Sequence, residues 1–168
     1  MRKDIGKDIE EMEQDSKDIL VATIYKETQV GRSISKNKKV PEHFKENLLV
    51  SIRKLRELVD TNKIKNADIR SEIKRVNRIT GASIGQSQKV INVYLKFYCL
   101  ILHKPLKVIK ELDCPLDSTT MNKKQTMKKL EKFEEYEDWQ NEFLKDCGIR
   151  ILRDKEYDAN RKKKSLGI

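Results

Sequence analysis

Residues 81–104 read GASIGQSQKVINVYLKFYCLILHK, the most apolar stretch of a chain in which 38% of residues are charged. The apolar run Val90 to Leu102 is broken by Asn92 and Lys96 and falls well short of the ~20 residues that cross a bilayer, so it reads as a buried core helix. On a 3.6-residue helix Lys89, Asn92, Lys96 and His103 fall in one narrow sector, and Val90, Ile91, Val93, Tyr94, Leu95, Phe97, Tyr98 and Ile101 occupy the rest. Such a stripe is either the one wet side of a core helix or the polar lining of a cleft.

Working outward, RITGASIGQSQK interrupts the helical periodicity with two glycines and two serines, and so predicts a helix-loop-helix junction near residues 79–88. Ser83 with Gln86 can form a capping box, or Ser87 can cap instead; either choice puts Lys89 in about the first turn of the central helix. Upstream, Ile69, Ile73 and Val76 form the inward stripe of a helix from about Asn66 to Arg78, with Arg70, Lys74, Arg75 and Arg78 outward. Before it, Phe44, Leu48, Ile52, Leu55 and Val59 mark another helix, with Pro41 suited to its first turn and DTNK (60–63) ending it. GRSISKNKK (31–39) reads as a basic loop, and Ile9, Met12, Ile19, Ala22 and Ile24 predict an amphipathic helix within residues 7–30.

Downstream, Pro105 permits a break, LKVIKEL suits a short helix, and DCPLDSTT reads as a turn with capping residues. A last helix is expected over about 123–146, with Leu130, Phe133, Tyr136, Trp139, Phe143 and Leu144 facing the core. GIRILRDKEYD is compatible with a short strand or a helix. The expectation is an all-α protein with one helical domain over residues 1–160 and a basic tail at 161–168.

The net charge of +10 is unevenly distributed: residues 1–31 carry −3, 32–110 carry +13, 111–160 carry −4 and 161–168 carry +4. A strongly basic middle between acidic flanks is the footprint of a phosphate-binding surface, which makes DNA the expected partner. Lysines that only solvate helices would leave a similar count. The N-terminus has no apolar signal region, and nothing calls for a membrane, so an intracellular location is expected. Cys99, Cys114 and Cys147 form no disulfide framework, and with two distant histidines they form no zinc pattern; no metal and no cofactor are expected. No nucleophile elbow and no glycine-rich phosphate loop is present.

Lys89 near the positive end of a helix dipole is disfavoured as an ammonium, and a neutral lysine is a nucleophile. A carboxylate to serve it stands at Asp117, which follows Pro115 and precedes STT as an N-cap does. About fifteen helical residues carry the chain roughly 22 Å away from Lys89, and the segment from Lys104 to Leu116 is long enough to bring it back. A plain cap is the common role of such an aspartate.

A glycine-containing helix-loop-helix junction, then a lysine on the next helix, then an aspartate in a Pro-hydrophobic-Asp turn, resembles the helix-hairpin-helix DNA glycosylase superfamily. The likeness covers about residues 66–121, and the long Lys-to-Asp interval is more similar to the archaeal 8-oxoguanine glycosylase branch. ITGAS has Ser83 where that superfamily's hairpin carries its second glycine. The resemblance implies that Lys89 is the Schiff-base nucleophile and Asp117 the catalytic carboxylate of a DNA N-glycosylase with abasic-site lyase activity. It further implies substrate contacts from Gly81, Gly85, Ser87 and Arg78 around the hairpin. Asn92 or Lys96 on the polar stripe would read a flipped base, with Tyr94, Tyr98 or Trp139 available to stack on it. Two other readings use the charge without the pair: a non-catalytic nucleic-acid-binding protein, and an interaction protein whose basic middle meets an acidic partner.

Overall fold

The computed structural model describes residues 5–27, 43–121 and 129–155. Its helices are α1 (Ile5–Glu27), α2 (Phe44–Asp60), α3 (Asn66–Thr80), α4 (Ile84–Ile101), the single-turn α5 (Leu106–Ile109) and α6 (Phe133–Cys147), followed by a 3-10 turn at Arg150–Asp154. Among the described residues there is no strand, so the all-α expectation holds. No helix among them is long and apolar enough to cross a membrane. The basic loop at 31–39, the Pro41 start, residues 123–128 of the expected last helix and the tail at 161–168 lie outside the described residues.

α4 is the axis of the fold, touched by α1, α2, α3, α5 and α6. Every residue from Ile84 to Lys96 is buried, and exposure on α4 is confined to its last turn, at Leu100 and Ile101. Polar side chains enclosed in this way need internal partners, and Lys89, Asn92 and Lys96 each have one, although Asn92 Oδ1 has none among the described residues. α2 and α3 pack on it with the stripes expected: Phe44, Leu48, Ile52, Leu55 and Val59 from one, Ile69, Ile73 and Val76 from the other, all buried. Burial of each such side chain contributes about 1.5–3 kcal/mol.

The junction between α3 and α4 is held by local chemistry. Gly81 ends α3 in the left-handed region at φ 66°, where a Cβ would be strained, and its N–H closes on Asn77 O at 2.8 Å. Ser83 then caps α4: its Oγ accepts from Gln86 N at 3.1 Å while its own N–H donates to Gln86 Oε1 at 3.0 Å. Of the two caps weighed from sequence, Ser83 is the one used; Ser87 sits inside the helix. Lys89 is consequently the sixth residue of α4, in its second turn.

Several expectations are corrected. The outward face of α3 is not uniformly basic, because Arg70 and Arg75 turn inward to pair with Asp113, Glu137 and Glu72. α1 buries Val21 and Ile24 and leaves Ile9, Met12, Ile19 and Ala22 exposed, so the anticipated stripe is mostly outside. His103 leaves the polar stripe: α4 stops at Ile101, and His103, at φ 48°, is exposed in the turn that follows. The last helix begins at Phe133 rather than near 123, and Leu144 on it is exposed; after it Arg150–Asp154 forms a 3-10 turn, in line with the helical alternative for that segment.

Candidate active site

Lys89 Nζ stands 2.8 Å from Asp117 Oδ2, so the pairing that chain reach permits is present. The lysine is buried on α4, and the aspartate side chain keeps 19% of its surface open. Asp117 is also the cap that its neighbours advertise: Oδ1 accepts from Thr119 N and Thr120 N, each at 2.9 Å, and Met121 N donates to Asp117 O at 3.0 Å. Burial alone would push its carboxyl up, but the Lys89 charge and hydrogen bond and the two backbone amides outweigh it and hold the group below the ordinary carboxylate range. Asp117 is therefore an ionised carboxylate at neutral pH, with one oxygen fixed by the turn and the other on an amine.

The segment that delivers Asp117 runs without helix from Leu112 to Asp117, and its Leu112–Leu116 stretch is buried. Glu111, just before it, accepts the first amide of α3, Asn66 N, at 2.8 Å. Asp113 accepts from Asn66 Nδ2 at 2.7 Å and from Tyr136 OH at 2.7 Å, and Arg70 and Arg150 lie at 3.3 and 3.4 Å from it. Cys114 exchanges both backbone groups with Gln140 of α6, and Leu116 does the same with Gln88 of α4. Burial, followed by the nearby charge of Asp154, pushes the Cys114 thiol well above its usual range, and Lys89, Lys96 and Asp117 are felt there too. The thiol is therefore protonated at neutral pH.

The other expected site residues divide into two sets. Asn92 is buried beside Lys89: its Nδ2 donates to Gln88 Oε1 and to Tyr136 OH, each at 3.0 Å, and its Oδ1 has no partner among the described residues. Lys96 is enclosed in a pair with Asp154 at 2.5 Å, each side chain 3% exposed. Gly85 is buried in the first turn of α4 and donates its N–H to Leu130 O at 3.0 Å. Ser87 is buried about 200° around α4 from Lys89, with its Oγ unpartnered among the described residues. Gly81 and Arg78 are exposed at the junction. Of the side chains considered for stacking, Tyr94 and Tyr98 lie parallel with centroids 5.4 Å apart inside the core, and Trp139 is half-buried against Phe143.

Sequence reasoning missed Gln88, Tyr136, Gln140, Asp113 and Asp154. Gln88 was findable, since Gln88, Asn92 and Lys96 repeat at four-residue spacing along one face of α4. The remaining four come from elements 17 or more residues further along the chain, and no spacing rule reaches them.

The arrangement is an amine and an ionised carboxylate in contact, half-enclosed, on a rigid support. It can perform amine-carbonyl or amine-acetal chemistry, or serve as a structural ion pair. Compared with known proteins, the chain matches no family model, no curated protein and no solved structure.

Proposed function

We propose that the chain is a DNA base-excision protein, an N-glycosylase with abasic-site lyase activity in which Lys89 is the nucleophile and Asp117 the assisting carboxylate. The observation that carries this reading is the 2.8 Å contact between Lys89 Nζ and Asp117 Oδ2, 28 positions apart, in a site that keeps an opening on the aspartate side. In the attack, a bond forms between Nζ and the sugar C1′ as the bond from C1′ to the base breaks. The base leaves with the electron pair and takes up a proton. Positive charge develops on the sugar meanwhile, and an ionised carboxylate next to it lowers the energy of that charge. The amine must be neutral to attack; Asp117, in hydrogen-bond reach, takes its proton and passes it on to the departing base, which returns the carboxylate to its ionised form beside the sugar.

Excision also requires that the base leave the stack and be read in the pocket. Asn92, with an unpartnered Oδ1, suits that role better than Lys96, which is committed to Asp154. The net +13 of residues 32–110 supports affinity for the phosphate backbone, with Lys74 and Arg78 exposed next to the junction. A binding protein without chemistry would use the cations of α3, its junction and the loop at 31–39, and two of the four on α3 are spent on carboxylates.

Borohydride trapping tests the reading. Wild-type protein incubated with duplexes bearing an abasic site or modified bases should give a covalent adduct, and Lys89→Gln should lower adduct formation on the order of 10³-fold or more. DNA bound equally by both proteins with no adduct from either removes the lyase step. Excision without an adduct, sensitive to Asp117→Asn, would then mark a monofunctional glycosylase.

A further inference from the structure

A buried segment outside any helix or sheet has to find partners for its N–H and C=O groups, and the stretch carrying Asp117 finds them in two glutamine side chains. Gln88 Nε2 donates to Leu116 O at 2.8 Å while Gln88 Oε1 accepts from Leu116 N at 3.1 Å. The same amide donates to Gly85 O at 3.1 Å and accepts from Asn92 Nδ2 at 3.0 Å, so all four of its near contacts are protein groups. A side-chain amide that exchanges both bonds with one residue does the work of a neighbouring strand's peptide. The contacts are also in register: 88 clamps 116, and 89 pairs with 117.

We infer that Gln88 is the positioning residue of the Lys89/Asp117 pair. By locking the residue before Asp117 to the residue before Lys89, it sets the separation and approach of Nζ and Oδ2. Gln140 provides an internal comparison, because it makes the same two-bond clamp from α6 on Cys114, three residues before Asp117. Both clamps hold the segment, but only that of Gln88 adjoins the two functional groups. The consequence for catalysis rests on the function proposed above; the consequence for the ionisation of Asp117 does not.

The experiment compares Gln88→Met and Gln140→Met with wild type by two readouts: the Asp117 carboxyl titration followed by carbon-13 NMR, and the single-turnover rate of borohydride trapping on abasic DNA. Both variants should melt at lower temperature. Gln88→Met alone should move the Asp117 titration up toward the ordinary 3.8, and it should slow trapping about tenfold or more with DNA affinity unchanged. A folded Gln88→Met with wild-type titration and trapping overturns the inference, as does a Gln140→Met that shifts both equally. If wild type forms no adduct, the proposed chemistry fails, and the titration alone still decides the role of Gln88. If Gln88→Met does not fold, Gln88→Glu is read in the same way, since it keeps an acceptor for Leu116 N–H and sets its other oxygen against the Leu116 and Gly85 carbonyls.

Discussion

Lys89 and Lys96 stand seven residues apart on one face of α4, and each meets an aspartate, yet the two pairs differ in every other respect. The Lys89 pair keeps an opening, with side chains 9% and 19% exposed, and its carboxylate is gripped by backbone amides of its own turn. The Lys96 pair is sealed at 3% on both sides, and its carboxylate comes from the 3-10 turn that ends the described chain. An open pair can exchange its partner for a substrate. A sealed one holds its two elements together, and taking either charge away removes a close counter-charge in a medium that solvates ions poorly.

The largest expected effect follows directly. Asp154→Ala removes a buried carboxylate from contact with the buried Lys96 ammonium, and should cost about 3–5 kcal/mol in chemical denaturation. Asp117→Asn should cost less, about 1–2 kcal/mol, because the amide still caps the turn and Lys89 has a route to water. Equal costs at the two positions would erase the distinction between an open and a sealed pair.

The acid limb of stability sharpens the same point. The folded carboxyl of Asp117 titrates below its ordinary 3.8. Its stabilising contribution is thus fully present above that value and is lost as pH falls through the lower folded one. Glu72 behaves alike from its ordinary 4.5: burial pushes it up, but hydrogen bonds from Lys54, Arg75 and Ser51 outweigh that and hold it down. Denaturation midpoints followed from about pH 5 to about pH 2 should fall steeply in wild type and less steeply in Asp117→Asn, with Glu72→Gln removing a separate share. A slope in Asp117→Asn identical to wild type would mean that the turn does not hold the carboxylate ionised.

The regions legible in the sequence are those where the physics is local. α2 and α3 announced themselves because large aliphatics recur every three or four residues, and the Ser83/Gln86 box was readable because a cap involves a residue and its third neighbour. The Lys89/Asp117 contact lay within reach of a chain-length argument joined to the capping signature of Asp117. The enclosure of the stripe was not legible, since a polar residue on an apolar helix looks the same whether it meets water or Asp154, 58 residues away. Arg70 and Arg75 misled for a related reason: spacing put them outward on α3, but the carboxylates that draw them in are Asp113 and Glu137 from later segments and Glu72 on their own helix. In α1, apolar residues occupy more than one side, so of the expected Ile9, Met12, Ile19, Ala22 and Ile24 packing buries only Ile24, and it adds Val21.

The smallest expected effect separates structure from chemistry most cleanly. Replacing both members of a sealed pair by apolar residues of similar volume removes two desolvation costs along with one attraction, and the outcome is often neutral or stabilising. Lys96→Met combined with Asp154→Leu should therefore lie within about 1 kcal/mol of wild type, recovering most of what Asp154→Ala alone loses. It should also retain borohydride trapping, since neither side chain touches Lys89 or Asp117 in any contact described. The matching exchange at the open pair, Lys89→Met with Asp117→Leu, removes the nucleophile and should abolish trapping whatever it does to stability. A double variant at 96 and 154 that folds like wild type but no longer traps DNA would show that the second lysine belongs to the site, and that enclosure in the free protein does not mark a residue as structural.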